Sequence, residues 1–285
     1  MKVLAASIED VMREAAARWT LIAYFLLSSL FIIIFASAIN LDIVDGTLAG
    51  AKLFGHNAQI RSNHDLDIEK LVIGFESTFS TVLYFMCTFL AIFATAHLVP
   101  RLQEKGTIDL YLSRPVGRVK LLMSRYAAGL ILAATNIVYL FGSIWLIVMW
   151  KTHVVHPRFF LAGAINLFVV ATMLAFAFVV GVVTSSTGVS IMATYALFFF
   201  APLLFALKRV SAAFSKDWQV WLTNTLYWIV PKTTELGQAV FGYVAAGSMP
   251  DKMTPAIATA AYSSTAAFGL ACLALASWFF YRKEF

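Results

Sequence analysis

Apolar runs of about twenty residues recur along this chain, and they restrict its fold more than any other feature. A helix needs about 20 apolar residues to cross roughly 30 Å of hydrocarbon. Six stretches reach that length: Trp19 to Ile39, about Leu71 to Leu98, about Val119 to Trp150, Phe159 to Val183, Val189 to Leu207 and about Ala256 to Tyr281. The runs are continuous rather than alternating, so they read as helices and not as barrel strands. Composition agrees. Hydrophobic residues make up 61% of the chain and charged residues 13%, against about 25% charged in a soluble domain. The expected fold class is therefore all-α, a polytopic membrane protein with six transmembrane helices. Ala36-Ser37-Ala38 resembles a signal-peptide cleavage site, but the run before it exceeds the 7–15 residues of a secretory core. A retained helix is expected there.

The basic residues orient the chain. With the N-terminus inside, the inner segments hold Lys2, Arg13, Arg18, Arg101, Lys105, Arg114, Arg118, Lys120, Arg125, Arg282 and Lys283, which is 11 of the 21 lysines and arginines. The positive-inside rule then places both termini in the cytoplasm, and a bacterial cytoplasmic (inner) membrane is the expected location. The net charge of +6 is read as this loop bias and not as a nucleic-acid surface.

Residues 1–18 form a separate unit. Ile8, Val11, Met12, Ala15, Ala16 and Trp19 recur at helical spacing, with Glu9, Asp10, Arg13, Glu14 and Arg18 on the other face, the pattern of an amphipathic helix lying on the inner membrane surface. Residues 19–285 are read as one six-helix transmembrane domain. Within it, an outer segment, 40–70, is polar. Thr184 to Gly188 makes a tight turn between the fourth and fifth helices. A second outer segment, 208–255, carries Trp218, Trp221, Tyr227, Trp228 and Phe241, and is expected to hold partial helices lying at, or dipping into, the outer interface, where aromatic rings prefer to sit.

Chemical machinery is scarce. No G-x-x-x-x-G-K-[ST] phosphate loop, H-E-x-x-H or G-x-S-x-G sequence occurs, so the chain itself is not expected to be an enzyme or to bind a cofactor. Cys87 and Cys272 sit in apolar runs and read as buried free thiols. No metal site is expected, and His153 and His156 read as part of a solvated outer loop. Glu76 is the exceptional ionisable residue of the spans, near the outer end of the second helix, and is a weak substrate-site candidate. Ala171 with Ala175, Ala177 with Gly181, and Ser263, Ala267 and Ala271 permit close helix approach, within the bundle or at a dimer seam.

The informative segment is the cytoplasmic loop 100–118, Pro100-Arg101-Leu102-Gln103-Glu104-Lys105-Gly106-Thr107-Ile108-Asp109-Leu110-Tyr111-Leu112-Ser113-Arg114-Pro115-Val116-Gly117-Arg118. Leu102, Ile108, Tyr111 and Leu112 can pack while Glu104, Lys105, Asp109 and Arg114 stay wet. Pro100 suits a helix start and Pro115 a helix end. A short helix between two long spans suits docking of a soluble partner.

This loop resembles the signature of type-two ATP-binding-cassette (ABC) exporter permeases: Glu104, then Gly106-Thr107, the apolar stretch Ile108 to Leu112, and Ser113-Arg114-Pro115-Val116-Gly117-Arg118 leading into the third span. The span count, the N-terminal helix and the long outer segment before the last span fit the same layout. The resemblance implies a coupling helix whose Arg101, Glu104, Lys105, Gly106, Thr107, Asp109, Arg114, Pro115 and Arg118 dock an ATPase. It implies two ATPase subunits, with ATP and Mg held there and not by this chain. It also implies a second permease subunit, as homo- or heterodimer. The alternative is a permease-like scaffold that passes ATP-driven motion to an extracytoplasmic partner. An intramembrane enzyme built on Glu76 and His97 is the least supported reading.

Overall fold

The computed structural model describes residues 19–44, 47–53, 56–58, 68–104, 117–210, 217–246 and 259–283. Residues 1–18, with the expected amphipathic helix, lie outside the described residues. In order the elements are α1 (Trp19–Ala38), β1 (Ile39–Val44), β2 (Thr47–Leu53), β3 (His56–Ala58), α2 (Ile68–Thr95), α3 (Leu98–Leu102), α4 (Arg118–Thr152), α5 (Phe159–Thr184), α6 (Thr187–Val210), α7 (Asp217–Ile229), α8 (Thr233–Ala245) and α9 (Thr259–Arg282).

The protein is predominantly helical. Among the described residues, five helices are long and apolar enough to cross a membrane: α2 continued through α3, then α4, α5, α6 and α9. α1 adds a further apolar helix of 20 residues. The helices carry large apolar side chains on their outward faces, including Leu26, Ile33, Val138, Met192 and Leu270. A water-soluble bundle would bury these residues, whereas lipid solvates them. The all-α expectation needs one addition: β1, β2 and β3 form a small antiparallel sheet in that order. Ile39 faces Leu53 across β1 and β2, and the register shifts between Asp42 and Ile43.

α5 is the central helix and packs against α2, α4, α6, α8 and α9. It is apolar all round, as a helix enclosed on every side must be. Its close approaches use small residues: Gly163 lies against Phe141, Gly181 against Pro100, and Gly269 of α9 against Thr172. The Ala177–Gly181 pair therefore serves packing within the chain. Ser263, Ala267 and Ala271 instead lie on the exposed face of α9.

Among the described residues, the two larger of three buried clusters run along the bundle. The larger joins α2, α4, α5 and α8 through residues such as Leu83, Tyr84, Phe141, Phe159, Met173 and Val240. The second lies at the α3 end and joins Leu98, Val99, Leu122, Phe178, Val182 and Phe280. Polar side chains within the spans pair with one another. Asn136 Nδ2 donates to Ser28 Oγ at 3.0 Å, and Asn166 Nδ2 reaches the carbonyls of Leu83 and Tyr84 at 3.4 Å. Such bonds spare polar groups an unpaired place in hydrocarbon. Cys87 and Cys272 are buried and free.

Candidate functional site

Two regions stand out, one at each end of the bundle. At the α3 end, both flanks of segment 105–116 are fastened to the rest of the molecule. α3 lies against α5, because Gly181 leaves room for the Pro100 ring. Gln103, just past α3, donates from Nε2 to the Gly181 carbonyl at 2.9 Å. Its Oε1 accepts from Ser185 Oγ at 3.0 Å and from Lys283 Nζ at 2.5 Å. Lys283 Nζ also donates to the Val182 carbonyl and to Ser185 Oγ, both at 2.7 Å. Its three donors thus join the end of α3, the C-terminal turn of α5 and the chain beyond α9. Burial lowers the Lys283 pKa. Ser185 reaches this position because it closes α5 in the left-handed region at φ 51°. On the other flank, Arg118 opens α4 and donates from Nη1 to the carbonyls of Lys283 at 2.8 Å and Tyr281 at 3.2 Å.

The expected docking residues divide accordingly. Arg101 lies in the last turn of α3, Glu104 follows the helix in an exposed position, and Arg118 begins α4 with its guanidinium turned onto the α9 terminus. Lys105, Gly106, Thr107, Asp109, Arg114 and Pro115 lie outside the described residues. Arg125, counted among the loop charges, is 3% exposed inside α4.

At the opposite end the stretch after α6 is not only interfacial. α8 is 13 residues, about 20 Å long, too short to span, and it is wedged between α2 and α5. Its N-terminus points into the bundle. Tyr84 Oη, in the middle of α2, donates to the Thr233 carbonyl at 2.7 Å. Lys232 N donates to Thr265 Oγ1 of α9 at 3.0 Å. Gly237 makes room for the Tyr84 ring, which lies 3.1 Å from where a Cβ would stand. At its other end, Arg158 donates to the Ala246 carbonyl. Lys232 is buried between α7 and α8, outside the spanning helices. Burial, and secondarily the charge of Lys208, lower its pKa to about 8. Sequence reasoning missed Lys232. The signal available was a lysine following Trp228, Val230 and Pro231 in a semi-apolar stretch.

Glu76 is 2% exposed and accepts a 2.6 Å contact from His156 Nδ1, which belongs to the α4–α5 connection. This corrects the reading of His156 as a solvated loop residue: it is 7% exposed, and a buried carboxylate requires such a partner. Glu76 and His97 are 21 positions apart in sequence and are not joined by any described contact. Among the described residues no group of three or more potential metal ligands comes together. An open apolar groove of about 460 Å³ runs between α1, α2 and α6, lined by residues including Leu27, Phe31, Phe85, Phe89 and Phe198.

Spanning-length helices around a central α5, with a half-length helix inserted from one end, define a multi-pass integral membrane protein. Residues 7–285 match the ABC-2 family transporter protein family, and the chain belongs to it as an ABC-2 type permease subunit. Such a subunit is the membrane component of an ABC transport system and not itself the ATPase. Family membership implies association with an ATP-binding-cassette subunit and dimerisation in general. No curated protein matches the chain.

Proposed function

We propose that this chain is the membrane-spanning permease of an ATP-driven exporter, coupling ATP hydrolysis on two separate ATPase subunits to substrate movement across a bacterial inner membrane. In this reading α1 completes a set of six spans, both termini are cytoplasmic, and a second permease subunit completes the path. The α3 end faces the ATPase, and residues 101–118 form the docking element. One observation carries the reading beyond the family: both flanks of segment 105–116 are bonded to the α5 terminus and to the chain after α9. A push on that segment then has stiff elements to move, which a two-state lever requires. The groove beside α1, α2 and α6 supports an apolar or amphiphilic cargo.

The test is a purified complex in vesicles, with Arg101→Glu and Glu104→Arg introduced together. Transport and transport-linked ATP hydrolysis should fall by about tenfold or more, as for loss of an interfacial charge pair, while the permease still elutes and melts as the parent does. Unchanged coupling in such a folded variant would remove the docking role. A second reading, motion passed to an extracytoplasmic partner, is supported by the sheet, whose β1 and β3 are edge strands that could accept another chain. ATP-dependent flux by the purified complex alone would count against it.

A further inference from the structure

Residues 151–158, the end of α4 and its connection to α5, fasten three other elements at the end of the bundle opposite α3. Lys151 Nζ donates to the Ala36 carbonyl at 2.8 Å, in the last turn of α1, where carbonyls lack intrahelical donors. His156 Nδ1 meets Glu76 Oε2 of α2 at 2.6 Å. Arg158 donates to the Ala246 carbonyl just past α8. One short segment thus straps together the ends of α1, α2 and α8.

Three features mark the tie to Glu76 as one that can let go. Burying a carboxylate against an imidazole costs hydration that an apolar contact would not, so such a pair adds little net stability, and a registry or switch role is its best-attested use. The pair is also incompletely satisfied. His156 is 7% exposed, and its Nε2 is buried without a hydrogen-bond partner, a lack that water would make good. Finally, the strap leaves α4 through His153, a non-glycine residue held in the left-handed region at φ 56°, a sparsely populated conformation of the kind found at switch segments.

The α2 face beside this tie is polar. Glu76, Ser77, Ser80 and Tyr84 share one side of the helix by their spacing, and Ser77 and Ser80 are fully buried. Ser77 Oγ donates to the Gly74 carbonyl at 2.8 Å and Ser80 Oγ to the Ser77 carbonyl at 2.7 Å. Both bonds stay within α2, so these hydroxyls are complete whether the face is dry or wet. Deeper in, Tyr84 is tied to the Thr233 carbonyl and Asn166 to α2, which bounds any opening at that level. We propose that residues 151–158 are a strap with two positions, latched by Glu76 and His156, and that its release admits water to the α2 face at Glu76, Ser77 and Ser80. The device belongs to this chain alone and does not rest on ATP-driven export.

The test uses the full chain in lipid nanodiscs, without ATP or an ATPase, carrying Ser77→Cys or Ser80→Cys. A charged, water-soluble methanethiosulfonate is added, and mass spectrometry follows modification at each thiol. Cys87, fully buried farther along α2, gauges global unfolding in the same sample. His156→Leu leaves Glu76 to seek water, so the thiol at position 77 or 80 should react about tenfold or more faster than without that change, while Cys87 keeps its rate. Adding Glu76→Leu to His156→Leu should restore the slow rate, because two leucines gain nothing from water. Glu76→Gln keeps an acceptor and removes the charge. It should speed the reaction about threefold, and it carries the decision if His156→Leu fails to fold. Unchanged rates in the folded variants overturn the strap. So does acceleration at Cys87 in step with the introduced thiol, the mark of a pair that only holds the fold together.

Discussion

Glu76 and His156 show what a single buried pair demands in this environment. Neither side chain has appreciable exposure, and the contact is 2.6 Å. Removing one partner of a buried pair leaves the other uncompensated, at a cost of about 3–5 kcal/mol, whereas replacing both with apolar groups can be close to neutral. Glu76→Leu and His156→Leu should therefore each lower the thermal midpoint in detergent sharply, and the double variant should recover most of the loss. Additive losses in this cycle would show that the two residues do not act as a pair. Lys232 offers a second test at this scale. Its pKa is lowered from 10.5 to about 8, so between those values the unfolded chain holds a proton that the folded chain has released. Stability then rises with pH across that window. Melting in detergent at pH 7.5 and 9.5 should show a gain in the parent that is smaller in Lys232→Met. An identical pH response in the two proteins would rule the assignment out. The sequence exposed Glu76 as an oddity but not its partner, because 80 positions separate the two residues and only the approach of the α4–α5 connection to α2 joins them.

Between elements, the tightest fit joins α3 to α5. A Cβ on Gly181 would lie 3.2 Å from Pro100 Cδ, and a proline ring cannot rotate aside as a leucine tip can. Gly181→Ala should cost about 1–3 kcal/mol through overpacking. Gly142→Ala, where no atom lies within 4 Å of the added Cβ, should be neutral or stabilising by up to about 1 kcal/mol. Thermal midpoints of the two variants in detergent should separate accordingly, and similar shifts would refute the packing argument. The long helices were legible from length and hydropathy alone, since α4, α5, α6 and α9 are simply uninterrupted apolar runs. α8 was legible only as a partial helix somewhere in 208–255. Its seat was not, because its depth is set by Tyr84 and Thr265, far away in sequence. The sheet at 39–58 was equally hidden, because a polar stretch after a span gives no strong period-two signal.

Over the whole molecule, the bonds at the α3 end make a mechanical prediction. Lys283 touches three acceptors on two segments, and Arg118 holds the same terminus from the other flank. Lys283→Met should leave each helix folded yet loosen the Gln103 end of α3 from α5. In the assembled complex, ATP hydrolysis should then continue while transport falls, by about tenfold if the clamp contributes about 1.4 kcal/mol to coupling. Spin labels near Glu104 and on α6 should report a broader distance distribution. Transport and distances matching the parent would mean that the push travels elsewhere. Segment 100–118 stood out in the sequence as a motif, whereas the bonds that hold its flanks did not, since Gln103, Ser185 and Lys283 are ordinary polar residues until the chain folds.

The two ties that seat α8 both end on main-chain atoms, the carbonyl of Thr233 and the amide of Lys232. Tyr84 and Thr265 therefore hold the tip whatever side chains it displays, provided position 232 is not proline. The arrangement resembles a chuck and its bit: the grip is built into the surrounding helices, and the working end is interchangeable. The side chains at residues 232–234 are thus open to change, by design or by natural drift, without rebuilding the seat.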